Sequence, residues 1–255
     1  MTFSEGGASL LRYAIISDIH SNLEALQSVL LQIESEHVDK IFCLGDIVGY
    51  GPHPNECLAL VQQRCETIIT GNHDFACIES AELDYFNQYA KRAIEWTVKQ
   101  LSDQELLYLK NLPLDARVAD IYLVHSNAIE PRTWDYILSI DDAIDNFPSF
   151  TEKICFIGHS HHPEIFLQNS AGNHSRYNYK LDPKIKIEHD NRYIINIGSV
   201  GQPRDGNPDA SFGILDLESQ VYELKRVRYN IRKTFQDMKA AELPQFLADR
   251  LFMGR

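Results

Sequence analysis

Five short runs of the 255-residue chain set Asp, Asn and His side chains directly behind apolar stretches. They are Asp18 and His20; Asp46 after Gly45; Asn72, His73 and Asp74 after Gly71; His125; and His159 and His161 after Gly158. Carboxylate, amide oxygen and imidazole together suit divalent metals. Any one run also reads as a helix-capping Asp or a loop His. Five of them, each closing a stretch of strand character, point to one site, because ligands in layered α/β folds bind at the carboxyl ends of strands. The chemistry this implies is two-metal hydrolysis. In Asp18-x-His20, strand alternation would turn both side chains to one side. Asp46 has two oxygens with which to bridge two metals, and His159 and His161 are again two apart.

The elements that must position these donors follow from periodicity. Strand-like runs Tyr13–Ile16, Ile41–Leu44, Thr67–Thr70, Ile121–Val124 and Ile154–Ile157 precede the five donor groups. Between them, Leu23, Leu26, Leu30 and Ile33 recur at helical spacing over Asn22–Glu36, with Ser21 and Glu24 as a capping box. Further helices are expected at about Pro54–Arg64 and Phe86–Leu101. Another is capped by Ser102 and Glu105 and ended by Pro113. The second half is mostly short β runs: Glu164–Gln168, Lys184–Glu188, Tyr193–Ile197, Ser211–Leu217 and Val221–Tyr229. Turn-rich segments at Asn169–Asn178 and Gln202–Asp209 separate them. This order predicts two packed sheets with helices outside. We expect one domain over residues 1–255, with a flexible segment at 1–10 and a helical tail at 230–255.

Composition narrows the function. A net charge of −12 argues against a general nucleic-acid binder, which needs a basic face. A phosphate-bearing small molecule is still accommodated, since two divalent metals would bring about four positive charges to the site. No apolar run approaches the roughly 20 residues of a membrane span, and the first residues lack a secretory leader, so a cytoplasmic protein is expected. The five cysteines form no C-x-x-C pair. They read as reduced core thiols rather than a zinc or disulfide framework.

The ordered set Asp18-x-His20, Gly45-Asp46, Gly71-Asn72-His73-Asp74, His125 and Gly158-His159-Ser160-His161 resembles the calcineurin-like metallophosphoesterases. The strings from Ser17 to Leu26 (Ser17-Asp-Ile-His-Ser-Asn-Leu-Glu-Ala-Leu), from Gly45 to Pro52, and from Asn196 to Pro208 are similar to the small prokaryotic phosphodiesterase or diadenosine tetraphosphatase-like branch. The resemblance implies a four-layer α-β-β-α sandwich of two mixed sheets. It implies Asp18, His20 and His161 on one metal, Asn72, His125 and His159 on a second, and Asp46 on both. The ions would lie about 3.5–4 Å apart and share a hydroxide that attacks phosphorus. His73 would protonate the leaving oxygen or stabilise the transition state, as suits an imidazole with a pKa near 6.5, and Asp74 would orient or charge it. Asp74 reads equally as a helix cap. The metals fit Mn, Fe, Zn, Ni or Mg, with Mn favoured, and the spacing does not choose among them.

The chain departs from this pattern at one position. Phosphoprotein-phosphatase and symmetric tetraphosphatase relatives carry an Arg in a Gly-Asp-x-x-x-Arg-Gly pattern, whereas this chain reads Gly45-Asp-Ile-Val-Gly-Tyr-Gly. The missing guanidinium would be a bidentate phosphoryl clamp. We therefore expect a phosphodiesterase acting on a small phosphate ester. The rivals are a metal-poor interaction scaffold on the same fold and a phosphomonoesterase or phosphoprotein phosphatase. Arg132 and Arg204 are the candidate substrate contacts. Trp134 and Tyr136 either stack on a base or, more in keeping with aromatic burial, pack in the core. The sequence leaves oligomeric state and physiological substrate open.

Overall fold

Ala14 and Ile16 of the first strand face one way, Tyr13 and Ile15 the other, and both pairs are buried. That is how a strand looks when each face of its sheet is covered. The computed structural model describes residues 11–255, so the expected flexible segment at 1–10 lies outside the described residues. In chain order the strands are β1 (Arg12–Ile16), β2 (Lys40–Cys43), β3 (Thr67–Ile68), β4 (Asp115–Val118), β5 (Ile121–Val124), β6 (Ile154–Ile157), β7 (Glu164–Gln168), β8 (His174–Tyr177), β9 (Lys184–Lys186), β10 (Arg192–Asn196), β11 (Ala210–Asp216) and β12 (Val221–Val227). The helices are α1 (Leu23–Ser35), α2 (Pro54–Arg64), α3 (Asn72–Ala76), α4 (Gln88–Gln100), α5 (Asp103–Lys110), α6 (Ile140–Asn146), α7 (Ile231–Ala240) and α8 (Gln245–Leu251).

The strands form two six-stranded sheets, ordered β3-β2-β1-β11-β12-β9 and β4-β5-β6-β10-β7-β8. Both are mixed. β1 pairs parallel with β2 and antiparallel with β11, and β10 pairs parallel with β6 and antiparallel with β7. Tyr13, Ile15, Phe42 and Leu44 of the first sheet meet Leu123, Phe156, Tyr193 and Ile195 of the second in the inter-sheet core. Ala14, Ile16 and Cys43 pack under Leu26, Val29 and Ile33 of α1 on one outside. Tyr122, Val124 and Cys155 pack under Ala143 and Phe147 on the other. The result is the expected four-layer α-β-β-α sandwich. No helix among the described residues is long and apolar enough to cross a membrane, and all five cysteines are free.

Local departures have identifiable causes. The N-cap of α1 is Asn22, whose Oδ1 accepts from the Ala25 amide at 3.2 Å. Ser21 does not cap because its own amide is held by the Ile47 carbonyl in a left-handed turn with φ 53°. The segment expected to be a turn-rich separator contains β8. Asn169 Oδ1 and Gly172, at φ 80°, close a hairpin that pairs β8 with β7. β8 has one neighbour in its sheet, so its exposed, polar residues hid it from pattern reading. The long helix begins at Gln88, capped by Asn87, after a 3-10 turn over Ser80–Tyr85. Ser102 and Glu105 form the expected capping box. The tail folds as α7 and α8. His53 and His174 are partnered by Asp237 at 2.9 Å and Gln168 at 3.0 Å.

Candidate active site

The loops after β1, β2, β3, β5 and β6 converge at one edge of the sandwich, and their donors are buried there, Asn72 only partly. Strand alternation is not what aims Asp18 and His20. Both lie beyond the end of β1, in left-handed backbone with φ 53° and 50°, as do Asp46 (51°), His159 (65°) and His161 (60°). Five non-glycine residues in that region, at about 1–2 kcal/mol each, mark a concentration of strain of the kind found at functional sites. Backbone hydrogen bonds hold it in place: Asp18 N to Gly45 O at 3.0 Å, His20 N to Asp46 O at 2.9 Å, and Gly158 N to His125 O at 2.9 Å. Two glycines allow the loops to approach. A Cβ on Gly71 would lie 2.2 Å from Asp46 Oδ1, and one on Gly158 would lie 2.4 Å from Asp18 Oδ2.

The donors fall into two groups, Asp18, His20, Asp46 and His161, and Asp46, His125 and His159. Within each group the ligand atoms lie within 4.8 Å of one another. Asp46 belongs to both. Its Oδ2 is 3.5 Å from His20 Nε2 and 3.4 Å from His125 Nε2, while Oδ1 accepts the His73 amide at 2.8 Å. Asn72 lines the same cleft, with Oδ1 buried and unpaired.

The ring tautomers indicate what these groups are built for. Nδ1 of His20 donates to Val48 O (3.3 Å) and Nδ1 of His161 to Gln202 O (2.5 Å), which leaves a lone pair on each Nε2. Those two Nε2 atoms face each other at 3.0 Å, with Asp18 Oδ1 3.2 Å from that of His161. Lone pairs and a carboxylate so placed repel one another unless a cation lies among them. His125 Nδ1 is likewise spent on Leu44 O at 2.8 Å, and His125 Nε2 and His159 Nε2 are buried without hydrogen bonds. Such orphans are rare in folded chains. The donor set fits two metal ions.

Electrostatics agree. Burial disfavours charge on every group here, and the neighbours decide the outcome. Burial lowers His159 to about 3 and His73 to about 4. Burial also opposes charging His125, but Asp46 and Asp18 override it and push that imidazole up to about 9.

Two expectations for the remaining residues need revision. His73 does not keep the pKa of a free imidazole, because it is fully enclosed. Its Nδ1 is buried without a partner, against Gly49, which leaves Nε2 toward the cleft the ring lines. Asp74 does not hydrogen-bond the His73 ring. Its carboxylate accepts the amides of Ile47, Val48 and Gly71 at 2.9, 3.0 and 3.1 Å and so ties α3 to the Asp46 loop.

Above the donors opens a cleft of about 450 Å³, lined by Asp46, Asn72, His73, His159 and His161 below and by Glu82, Tyr85, Phe86, Arg132, Trp134, Tyr136 and Arg204 around the walls. Trp134 and Tyr136 are thus wall residues rather than core. Tyr136 stacks on His159 at 4.1 Å and is 49% exposed. Arg132 lies over the Phe75 ring at 3.9 Å, with Glu82 also at 3.9 Å. Sequence reasoning missed Glu82, Tyr85 and Phe86, which no motif marks, and Tyr50, which packs against both His20 and His73 at 4.5 and 4.3 Å. The only signal for Tyr50 was its place in the Gly-Asp string.

Comparison with known proteins agrees with this geometry. Residues 11–220 match the model of the calcineurin-like phosphoesterase superfamily domain. An uncharacterized protein of Methanocaldococcus jannaschii is 42% identical over 246 residues, covering 95% of this chain and 98% of its own. A solved metallophosphoesterase from Sphaerobacter thermophilus is 40% identical, with a TM-score of 0.83 over 97% of this chain and 100% of that one. A hypothetical protein from Pyrococcus horikoshii shares the fold at 19% identity, with a TM-score of 0.78 over 96% of this chain and 99% of that one.

Proposed function

The chain belongs to the calcineurin-like phosphoesterase superfamily, and from that premise we propose that it is a dinuclear-metal phosphodiesterase acting on a small phosphate ester. The observation that carries this reading is the pair of donor groups meeting at Asp46 Oδ2 on the floor of the cleft. Asp18, His20 and His161 would hold one ion and Asn72, His125 and His159 the other, with Asp46 common to both. When bound, the pair supplies activated water and neutralises charge on the phosphoryl group.

The chain's own side chains do the rest. A proton on His73 Nδ1 would be a buried donor without an acceptor, so the neutral ring keeps it at Nε2 and can give a hydrogen bond to an ester oxygen in the cleft, steadying the charge that develops there. Asp74 fixes α3, and with it His73 and Asn72, against the Asp46 loop. Tyr136 covers one face of His159 and limits water there. Arg132 and Arg204 line the cleft and would face the substrate. Glu82 offsets the charge of Arg132. Among the described residues the cleft therefore offers one uncompensated guanidinium, which suits a monoanionic diester better than a dianionic monoester.

Turnover of bis-p-nitrophenyl phosphate and of p-nitrophenyl phosphate, measured across Mn, Zn, Ni, Fe and Mg, tests the reading. The diester should be preferred by about tenfold or more in kcat/KM, a difference of about 1.4 kcal/mol in barrier. Preference for the monoester would reverse the assignment. No turnover with any metal would leave the scaffold reading.

A further inference from the structure

In the Gly-Asp-x-x-x-Arg-Gly pattern of the phosphatase relatives, the arginine position falls on Tyr50 of this chain. Tyr50 is buried, with φ 54°. Above its ring stands a guanidinium from a distant loop: Arg204 Cζ is 5.7 Å from the ring centre, and Arg204 Nη2 donates to the Tyr50 hydroxyl at 3.3 Å. Gln202 Oε1 accepts from Nε and Nη2 of the same arginine at 3.2 and 2.9 Å. The backbone is tied as well. Arg204 N donates to His161 O at 3.2 Å, and Gln202 O accepts from His161 Nδ1.

Arg204 is thus held against His161 on one side, and through Tyr50 against His73 on the other. Among the described residues it makes no ion pair, and the adjacent Asp205 is taken by Arg226. Its Nη1 has no protein partner among the described residues, and the residue lines the cleft. Holding a charge-bearing side chain in one geometry without an anion costs conformational freedom, and it leaves a preorganised donor. Arg132 differs, being stacked on Phe75 and balanced by Glu82.

We propose that Arg204 supplies the phosphoryl-binding guanidinium of this chain, in place of the one absent at Tyr50, with Tyr50 and Gln202 as its positioning residues. The inference rests on the phosphoesterase reading above and deepens it. Nε and Nη2 are engaged by Gln202 and Tyr50, so Nη1 makes the contact, and it grips one non-bridging oxygen rather than forking across two.

Calorimetric titration of orthophosphate into the Mn²⁺-loaded protein, alongside diester turnover and metal analysis, tests this. Arg204→Gln should weaken phosphate about tenfold or more and lower kcat/KM about 10²-fold, with metal content and Tm unchanged. Arg204→Lys should fall between it and wild type. Tyr50→Phe keeps the ring and should raise KM a few-fold at constant Tm, a split that a packing defect would not produce. Arg228→Gln, whose side chain is 93% exposed, should match wild type. Wild-type phosphate affinity in Arg204→Gln would overturn the proposal. So would loss of Mn²⁺ in that variant, or no phosphate binding by wild type. If wild type binds phosphate through Arg204 yet cleaves no ester, the phosphoesterase reading fails and this one stands. If wild type cleaves esters and Arg204→Gln is unaffected, the reverse holds.

Discussion

Replacing Gly71 with alanine adds one methyl group at a crowded point of the site, and none of the candidate metal donors is altered. The new Cβ would lie 2.2 Å from Asp46 Oδ1 and 2.4 Å from Asp46 N. Against an ordinary contact of 3.4 Å, the gap to Oδ1 must open by about 1.2 Å. The backbone nitrogen cannot rotate away, so the Asp46 loop or α3 must move. Overpacking of this kind costs about 1–3 kcal/mol, which a protein with about 5–15 kcal/mol of stability survives. The site does not escape as lightly, because Asp46 serves both donor groups and a displacement of about 1 Å costs about 10²-fold in rate. Gly71→Ala should therefore stay folded, with Tm lowered by several degrees, lose kcat/KM by about 10²-fold and bind Mn²⁺ more weakly. Gly172→Ala is the control. A Cβ there meets nothing within 4 Å, and only its φ of 80° is strained, so it should lose about 1 kcal/mol and no activity. Steady-state kinetics, thermal unfolding and metal analysis of both variants decide the matter. Wild-type rate and metal content in Gly71→Ala would refute the claim that Asp46 is held by close approach of the α3 loop.

Three further outcomes follow from the same geometry. His73→Ala should keep its metals and lose about 10²–10⁴ in kcat; loss of metals, read by elemental analysis, would make His73 a ligand instead. Asn22→Ala removes the α1 cap and the bonds of that side chain to Thr234 (2.9 Å) and Gly201 (2.8 Å). It should destabilise by about 2 kcal/mol in urea unfolding. Asp237 is held below the usual carboxylate range: burial opposes this, but Lys233 and His53 outweigh it. A depressed carboxylate stabilises the fold above its unfolded pKa, and that contribution is lost as pH falls through the ordinary range to the folded value. Asp237→Asn should flatten that acid-side loss in the urea midpoint, and an unchanged slope would contradict the sign.

The donors were legible because each closes an apolar run, and because glycine sits where two loops nearly touch. Gly71 and Gly158 precede Asn72 and His159 in the sequence for the reason the contacts give. The inward and outward faces of β1 and β2 were legible as well, since both are apolar. The aim of the side chains was not. Asp18 and His20 point into the site from left-handed backbone rather than from strand pleat, and that conformation is imposed by hydrogen bonds to the Gly45 and Asp46 carbonyls, which no local pattern announces. Asp74 looked like a partner for His73 because it is adjacent in sequence; in space its oxygens are consumed by three amides. The Tyr50–Arg204 contact spans 154 positions, beyond any spacing rule.

The central claim is that two metal ions share Asp46. Mn²⁺ titration of chelator-treated protein, with bound metal counted after desalting, tests it most directly. Wild type should take up about two ions per chain and Asp46→Asn fewer than about one, because the variant weakens both groups at once. Two ions retained by Asp46→Asn, or a single ion in wild type, would contradict it.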